Sequence, residues 1–446
     1  MRRVSPAALL RALPAASRPL VDAILAEAER SDVGVMLVGG PVRDYLLGRP
    51  LRDVDLVVEP ERGVGALELA RAAAAPEVRL VAHDRFGTVR LEAPDTVVDL
   101  ATVRSESYAH PGALPSVAAG NVEQDLRRRD FTLNALAIPL SPAARRGRPA
   151  VVDVAGGAAD LEAGLLRVFH DRSFHDDPTR SLRGARLAPR LGFRLTRGSL
   201  RALRSALRDG AFGAVSGERF RAELEKLFAD AIHGLDPSRA LRLLADWHVL
   251  AALEPGLGLT TEAVTPLRRL GRAVAEPPWR PLRLRPWVAG LMVWLAPLDG
   301  SLRRRALRRL AVRGEVARAI EGFPKARDGW LRKLGRARGR GAADAALRGV
   351  DDEALLALLA WAPPGLRRRI ERFAREDRFA ELSVGGDDLV AIGLQGPAVG
   401  RALARLRAAY LDRRVRTRDE ALAFARELAG RTRARPARKK KAARTE

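Results

Sequence analysis

The pattern of apolar and polar positions changes in kind partway along the chain. Up to about residue 140, short apolar runs bounded by turn residues predict strands, and two segments with helical periodicity predict helices. The predicted strands cover residues 33–38, 53–58, 78–82, 88–92 and 96–103, and the predicted helices cover residues 21–30 and 64–74. From about residue 178 to residue 428, amphipathic helices separated by Gly and Pro predominate. We therefore predict an α+β fold, with a mixed β-sheet and helices first, helices alone after it, and a boundary between residues 140 and 155.

The chain carries a large excess of positive charge. Its 446 residues include 79 Lys and Arg against 54 Asp and Glu, a formal net charge of +25. This excess predicts attraction to a polyanion, and nucleic acid is favoured over an anionic membrane surface. Residues 302–310 and 331–340 are densely basic; each alone is typical of a solvated helix face, but together they favour a helical arm along a phosphate backbone. Residues 431–446, with eight basic residues and one acid, predict a disordered tail with added RNA affinity.

Two absences in the sequence narrow the class of protein. There is no cysteine, which excludes disulfides and thiolate metal sites. No apolar run reaches membrane-spanning length, and the first residues lack the apolar segment of a secretory signal. We therefore expect a soluble cytoplasmic protein with no membrane partner.

The segment from residue 37 to residue 58 has the strongest chemical signal. An apolar strand runs into Gly39 and Gly40, a turn that can offer backbone N–H groups to phosphate oxygens, and then into a helix. Asp53 and Asp55 follow on a second predicted strand, where alternate residues point to one face. Paired carboxylates suit Mg²⁺. Either feature alone is typical of a turn or a solvated strand end, but their order within twenty residues favours metal-dependent nucleotidyl transfer.

Two further clusters lie downstream. Arg128, Arg129 and Asp130 precede Asn134 at the predicted start of an apolar helix, where the arginines can clamp a triphosphate and Asp130 or Thr132 can cap the helix. The alternative interpretation of this cluster is a basic linker before an ordinary helix.

The second cluster pairs Asp177 with Arg180, three residues apart, which predicts that they share a helix face. The ordinary interpretation is an ion pair within the helix. The sharper one is base recognition, because a carboxylate and a guanidinium together match the edges of cytosine and adenine but not those of uracil or guanine. A site of this kind rejects the wrong base because its own polar groups would be left unpaired. The pair could therefore select CTP and ATP without a nucleic-acid template.

At these motifs the chain resembles the class II tRNA nucleotidyltransferases, the family of the bacterial CCA-adding enzymes and poly(A) polymerases. The resemblance extends over nearly the whole chain. The motifs that carry it are GGPVRDYLLG (39–48) with RDVDLV (52–57), RFGT (85–88), VDLATVR (98–104), RRDFTLNA (128–135), DDPTRSLRGARLAPRLGF (176–193), GERFRAEL (217–224) and LSVGGDDLVAIGLQGPAVGRAL (382–403).

The resemblance implies an architecture and a set of roles. It implies a nucleotidyltransferase head at residues 1–155, a helical neck that recognises the base at residues 156–235, a helical body and tail for tRNA at residues 236–430, and the basic tail at residues 431–446. The carboxylates that it assigns to catalysis and to two Mg²⁺ ions are Asp53, Asp55 and Asp99. The residues that it assigns to the nucleotide are Gly39, Gly40, Arg43, Arg128, Arg129, Asp130, Asn134, Asp177, Arg180 and Arg183. Glu218 and Arg219 are expected to brace the base-recognition residues.

The expected function is template-independent addition of C and A to the tRNA 3′ end from CTP and ATP, with release of pyrophosphate. Partial addition, of CC only or A only, and poly(A) tailing remain alternatives within the family. Residues 104–125, which include a turn-rich stretch at 108–115 predicted to be mobile, correspond to an element expected to help switch from C to A. Outside the family, a non-catalytic RNA-binding protein and a small-molecule nucleotidyltransferase are disfavoured by the three carboxylates and by the positive charge. The oligomeric state stays open.

Overall fold

The structure is a computed structural model that describes residues 3–433 except residues 62, 84–86, 108–109, 111, 114–115, 141–143, 145, 148 and 280–283. Part of the RFGT motif, much of the stretch at 108–115 and residues 434–446 of the basic tail therefore lie outside the described residues. The chain forms two compact units, one of Met1–Glu223 with Arg239–Gly258 and one of Leu224–Ser238 with Leu259–Glu446. The finer division into head, neck, body and tail stays a prediction.

The first unit contains all of the described strands. The strands are β1 Gly34–Val38, β2 Asp55–Glu59, β3 Arg79–His83, β4 Thr88–Ala93, β5 Thr96–Thr102, β6 Arg104–Ser107, β7 Ser116–Ala119, β8 Leu136–Pro139, β9 Val152–Asp153, β10 Leu165–Leu166 and β11 Arg194–Leu195. The helices up to the unit boundary are α1 Pro6–Ala12, α2 Arg18–Arg30, α3 Gly40–Leu46, α4 Ala66–Ala73, α5 Val122–Arg127, α6 Gly157–Glu162, α7 Ser173–Asp176, α8 Arg180–Leu191, α9 Arg197–Arg208 and α10 Gly217–Ala229. Two more helices, α11 Pro237–Asp246 and α12 Val249–Leu253, follow near the end of this unit.

Seven strands form one mixed sheet in the order β3-β4-β5-β2-β1-β8-β9. Its neighbours are antiparallel except β2 and β5, which run parallel with Asp55 opposite Asp99. Each of the five strands predicted from the sequence is present, and so are the two predicted helices, α2 and α4. Helix α4 packs on β4 and β5, and the sheet interior is built from side chains such as Leu37 and Leu56, each at most 1% exposed. The α+β prediction is confirmed.

Two local predictions were wrong, and one pair of strands was missed. Strand β2 begins at Asp55, so Asp53 precedes the strand instead of alternating along it. The apolar run after Asp130 is a short 3₁₀ turn followed by β8, because a short apolar run fits a buried strand as well as a helix and β8 pairs with β1. Two short strands, β6 and β7, form a hairpin within residues 104–125 that was not predicted, because strands of four residues show little periodicity.

The second unit is helical throughout its described residues, as the amphipathic pattern predicts. Its helices are α13 Thr261–Val274, α14 Pro286–Leu295, α15 Gly300–Arg309, α16 Gly314–Arg336, α17 Gly339–Leu347, α18 Asp352–Trp361, α19 Pro364–Arg375, α20 Gly386–Ala391, α21 Pro397–Leu411 and α22 Arg418–Arg433. Helix α14 is buried on nearly all sides and packs on α13, α16 and α18. A separate apolar cluster joins α20, α21 and α22 through residues that include Leu389 and Leu406. In the part of the chain that the structure describes, no helix is both long and apolar enough to cross a membrane.

Candidate active site

A cavity of about 490 Å³ in the first unit collects the residues that the sequence assigned to the nucleotide. All ten of them line it, together with Asp53. The other lining residues are Glu106, Arg186, Leu187, Arg190 and Arg219. Residues from separate segments of the first unit therefore converge on one concave and strongly basic surface.

Gly39 allows the wall of this cavity to form. It joins β1 to α3 with a φ of +75°, a conformation that favours glycine. A side chain there would also collide with the site, because a Cβ atom on Gly39 would lie 2.7 Å from Nη1 of Arg129. The glycine thus brings the turn next to an arginine of the cavity.

A chain of polar contacts begins at the α3 side of the cavity. Arg190 donates from Nη2 to Asp44 at 3.3 Å, and Arg43 donates from Nε to the other oxygen of Asp44 at 2.9 Å. Arg43 also donates from Nη1 to Oδ1 of Asn134 at 2.6 Å. The amide nitrogen of Asn134 in turn donates to Asp130 at 2.9 Å. Asp44, Arg43 and Asn134 are therefore each held by two partners.

The same chain continues through two acids to the other wall. Arg183 donates to Asp130 at 3.2 Å and to Asp177 at 2.8 Å. Arg219 then donates from Nη2 to Asp177 at 2.9 Å and from Nη1 to the carbonyl oxygen of Gly112 at 2.7 Å. This contact agrees with the bracing expected from the resemblance. A continuous network thus connects the α3 side to Arg219 and orients the polar side chains before any ligand arrives.

The local setting of Asp177 differs from the sequence prediction. Asp177 does not share a helix with Arg180: it lies in extended conformation after α7, and α8 begins at Arg180. Its carboxylate accepts hydrogen bonds from the backbone and hydroxyl of Thr179 at 3.0 and 2.6 Å. The reason is Pro178, since the residue before a proline is driven out of helical conformation. Both side chains nevertheless line the cavity.

The network keeps its acids ionised. Burial by itself would raise the pKa of Asp177, but Arg183, the Thr179 hydroxyl and Arg219 outweigh it and lower the pKa to about 2. Burial likewise opposes ionisation of Asp130, yet Arg183 and Asn134 hold its pKa below the usual range. Both acids are therefore hydrogen-bond acceptors at neutral pH.

Two acidic side chains hold Arg128, and the backbone of Arg128 in turn holds Arg180. It donates to Glu106 on β6 at 2.9 Å and, with two nitrogens, to Asp125 at 2.6 and 2.9 Å. Glu106 also accepts from Arg104 at 2.9 Å. The carbonyl oxygen of Arg128 accepts from Nη2 of Arg180 at 3.0 Å. The β6–β7 hairpin is therefore linked to the cavity through a carboxylate.

Two buried donors of the cavity are unsatisfied. The Nε atoms of Arg129 and Arg180 have no hydrogen-bond partner among the described residues. Leaving a buried polar group unpaired is costly, and both nitrogens have almost no accessible surface, so a ligand could reach them only if these side chains moved.

The three predicted catalytic carboxylates are divided between this cavity and a second one. Asp53 lines the first, and Asp55 and Asp99 line a cavity of about 340 Å³ that also includes Arg90 and Arg129. Because Arg129 lines both, the two spaces adjoin. Both oxygens of Asp99 accept hydrogen bonds from Arg90, at 2.8 and 3.0 Å.

The carboxylates fit a divalent cation by their chemistry. Burial raises the pKa of Asp55 to about 6; Arg129 opposes the shift, and the charges of Asp99 and Asp53 add to it. A hard cation would relieve this accumulation of negative charge. Within the described residues, however, no three His, Cys, Asp or Glu side chains are already placed to hold a metal. Arg90 would have to give up Asp99 for that carboxylate to join the other two.

Some residues of the site were not assigned from the sequence. Arg186 and Arg190 follow Arg183 along α8 at three- and four-residue intervals, so helical spacing was the available signal. Glu106 and Arg90 carried no comparable signal. Their partners are set by strand pairing and by packing between distant segments.

Comparison with known proteins finds similarity along the chain. The Poly A polymerase head domain family matches residues 35–167. The chain is 33% identical to the CC-adding tRNA nucleotidyltransferase of Deinococcus radiodurans, over 87% of this chain and 88% of that protein. It is 29% identical to the A-adding tRNA nucleotidyltransferase of Geobacter sulfurreducens over 89% of its own length, but it spans only about half of that relative, 45%.

Similarity also extends to solved structures. The CCA-adding enzyme of Thermotoga maritima, solved in complex with tRNA, superposes with a TM-score of 0.68 at 27% identity, over 97% of this chain and 100% of that one. Sequence and fold therefore agree along nearly the whole length of the chain. The chain belongs to the tRNA nucleotidyltransferase family.

Proposed function

We propose that this protein adds C and A nucleotides to the 3′ end of tRNA, completing or repairing the CCA terminus with CTP and ATP in the cytoplasm. The observation that carries the proposal is the single cavity lined by all ten predicted nucleotide-binding residues and by Asp53. The similarity to tRNA nucleotidyltransferases over most of the chain supports tRNA as the acceptor.

The base of the incoming nucleotide is recognised by Asp177 and Arg180. Asp177 is an ionised acceptor for the exocyclic amine of cytosine or adenine, and Arg180 is a donor for the adjacent ring nitrogen. Arg183 and Arg219 hold the Asp177 carboxylate from two directions, so it cannot rotate to suit another base. Uracil and guanine are rejected because they would leave these buried groups unpaired.

The triphosphate is bound by the arginines near the turn. Arg43, Arg128 and Arg129 line the cavity beside Gly39 and Gly40. Guanidinium groups match the geometry of phosphate oxygens.

Proteins of this family use a divalent metal, and we assign it as Mg²⁺. Asp53, Asp55 and Asp99 would hold two such ions. When bound, the ions would supply positive charge that activates the RNA 3′-hydroxyl and stabilises the leaving pyrophosphate. The 3′-hydroxyl loses its proton to solvent and its oxygen bonds to the α-phosphorus, while the bond from the α-phosphorus to the oxygen that bridges it to the β-phosphate breaks, so that pyrophosphate leaves with that oxygen. The arginines and the Asp177–Arg183 pair keep the α-phosphate in place for in-line attack, so no covalent enzyme intermediate is required.

The second candidate function is addition of only CC or only A to the tRNA, and the similarity to known proteins favours retaining it as a candidate. The chain is similar to a CC-adding enzyme and to an A-adding enzyme. All three activities use the same chemistry and differ only in which nucleotides are added before addition stops, so the geometry of the cavity is compatible with each.

One assay separates these activities. Purified protein is incubated with Mg²⁺ and each labelled nucleotide, using tRNA that ends at the discriminator base, tRNA that ends in CC, and oligo(A). Ordered incorporation of C, C and A supports the proposal. Addition that stops after CC, or A alone on tRNA ending in CC, indicates a partial enzyme. Long A tails on any RNA would overturn it.

A double variant tests the metal assignment in the same assay. D53A/D55A should abolish incorporation, whereas D95N, at an exposed turn between β4 and β5, should leave it unchanged. Continued activity of the double variant would contradict the assignment.

A further inference from the structure

Arg90 lies directly beside a predicted catalytic carboxylate. Strands β4 and β5 are antiparallel, and their register places Arg90 opposite Asp99. The guanidinium binds the carboxylate as a fork, with Nε to Oδ1 at 2.8 Å and Nη2 to Oδ2 at 3.0 Å. This two-point geometry is the strongest that an arginine and a carboxylate can form.

The pair is part of a row of charges across the sheet. Asp99 is also opposite Asp55 on the parallel neighbour β2, and residues directly opposite each other project to the same face. Arg90, Asp99 and Asp55 therefore stand side by side on three adjacent strands. All three line the second cavity, with Arg129. Arg129 donates to Asp125, whereas Arg90 donates to a carboxylate of the row itself.

From this geometry, and resting on the function proposed above, we infer that Arg90 is a positioning residue that acts as an internal substitute for the metal. It neutralises and orients Asp99 in the nucleotide-free protein, and a divalent cation must displace it to use that carboxylate. The consequence is that Arg90 weakens metal binding to the free enzyme. The metal then enters most favourably together with the triphosphate, whose oxygens add ligands and negative charge.

Another cross-strand pair on the same sheet provides a matched control. Arg79 on β3 is opposite Glu92 on β4, and their side chains approach to 3.5 Å. The pair has the same charges and the same strand geometry, but it lies outside the carboxylate row. Removing Arg79 changes the net charge as much as removing Arg90 does.

The test is calorimetric titration of Mn²⁺ into the nucleotide-free full-length protein, for wild type, R90M, R90K and R79M. The Arg90–Asp99 pair is half-exposed, so its loss should tighten Mn²⁺ binding by about three- to tenfold. R79M should match wild type, and R90K, which keeps the charge without the fork, should fall between wild type and R90M. Removing Arg90 should tighten Mn²⁺ binding less in the D99N background than in wild type, because the contested carboxylate is gone and only the charge of Arg90 near Asp55 still opposes the cation.

The outcomes distinguish this inference from the proposed function. Equal or weaker Mn²⁺ binding by R90M, with native circular dichroism, would overturn the role of Arg90. If R90M failed to fold, an R90K affinity equal to that of wild type would do the same. Nucleotide incorporation by wild type is measured separately. If wild type incorporated no nucleotide while R90M still bound Mn²⁺ more tightly, the proposed function would be overturned, but the competition between Arg90 and the metal for Asp99 would stand.

Discussion

Arg183 binds Asp130 and Asp177 at the same time, with Nε 3.2 Å from one carboxylate and Nη2 2.8 Å from the other. The two acids belong to distant segments, with β8, β9, β10, α6 and α7 between them in the chain. One guanidinium therefore ties the segment that carries the arginines of the proposed triphosphate site to the segment that carries the proposed base-recognition acid.

Replacing Arg183 should destabilise the first unit. R183M leaves two largely buried carboxylates without their shared partner, and breaking such a contact costs about 3 kcal/mol. Thermal unfolding followed by circular dichroism should show a lower melting temperature for R183M and an intermediate value for R183K, whose ammonium cannot bind both acids as a fork. R197M, at an exposed position on α9, is the control. Equal melting temperatures of R183M and R197M would contradict the bridging role.

Arg219 should control selectivity more than stability. It holds Asp177 together with Arg183, so in R219M the carboxylate keeps its charge but gains freedom to rotate. We expect a KM for CTP and ATP raised by about tenfold and a reduced preference over UTP and GTP, since discrimination depends on fixed partners. Steady-state incorporation with all four nucleotides measures this. A fall in kcat with unchanged KM and unchanged preference would argue for a different role.

Neutralising Glu106 should strengthen triphosphate binding. Its carboxylate lies in a cavity lined by many arginines and pairs with Arg128. E106Q therefore removes an anion that competes with the triphosphate for Arg128. We expect metal-free CTP to bind about threefold more tightly or better, with a steeper salt dependence. E123Q is the matched control, because Glu123 pairs with Arg127 on the exposed side of α5. Weaker binding by E106Q would indicate that Glu106 positions Arg128 for the phosphate instead.

Asp55 should make the metal-free protein less stable above pH 6. Its pKa in the folded state is about 6 against an ordinary value of 3.8, so the folded protein binds the proton more tightly than the unfolded chain does. The ionised form therefore costs stability at pH 8, and the cost disappears as the pH falls from 6 to 4. Because the side chain is half-buried, we expect D55N to be more stable than wild type by about 1–2 kcal/mol at pH 8.

Denaturant unfolding in EDTA at pH 8, 6 and 4 checks this prediction. The advantage of D55N should shrink with falling pH and be absent at pH 4, while D95N should track wild type throughout. A pH-independent advantage would mean that the substitution acts through packing or hydrogen bonding and not through charge.

Much of this protein was predictable from local sequence. The five strands and two helices predicted within the first 140 residues follow from short-range periodicity. The ten predicted nucleotide-binding residues follow from the family motifs. Those motifs are local features of the sequence, but they do not include Glu106, Arg186 and Arg190, which also line the cavity.

Conformation at the motif edges was less predictable. Asp177 was expected on a helix with Arg180, and the segment after Asp130 was expected to be helical. Pro178 and the pairing of β8 with β1 decided otherwise. These are cases in which one neighbouring residue or one tertiary contact outweighs periodicity.

The sequence by itself determined the fold class and most of the elements, which motifs supply carboxylates and arginines, and that the protein would favour an RNA partner through its charge of +25. Only the tertiary structure decided which charges meet. With 79 basic residues in the chain, composition cannot say that Arg183 bridges two acids, that Glu106 binds Arg128, or that Arg90 binds Asp99. Those pairings depend on strand register and on the packing of distant segments, because charged groups interact strongly only where folding brings them within a few ångströms and removes the water between them.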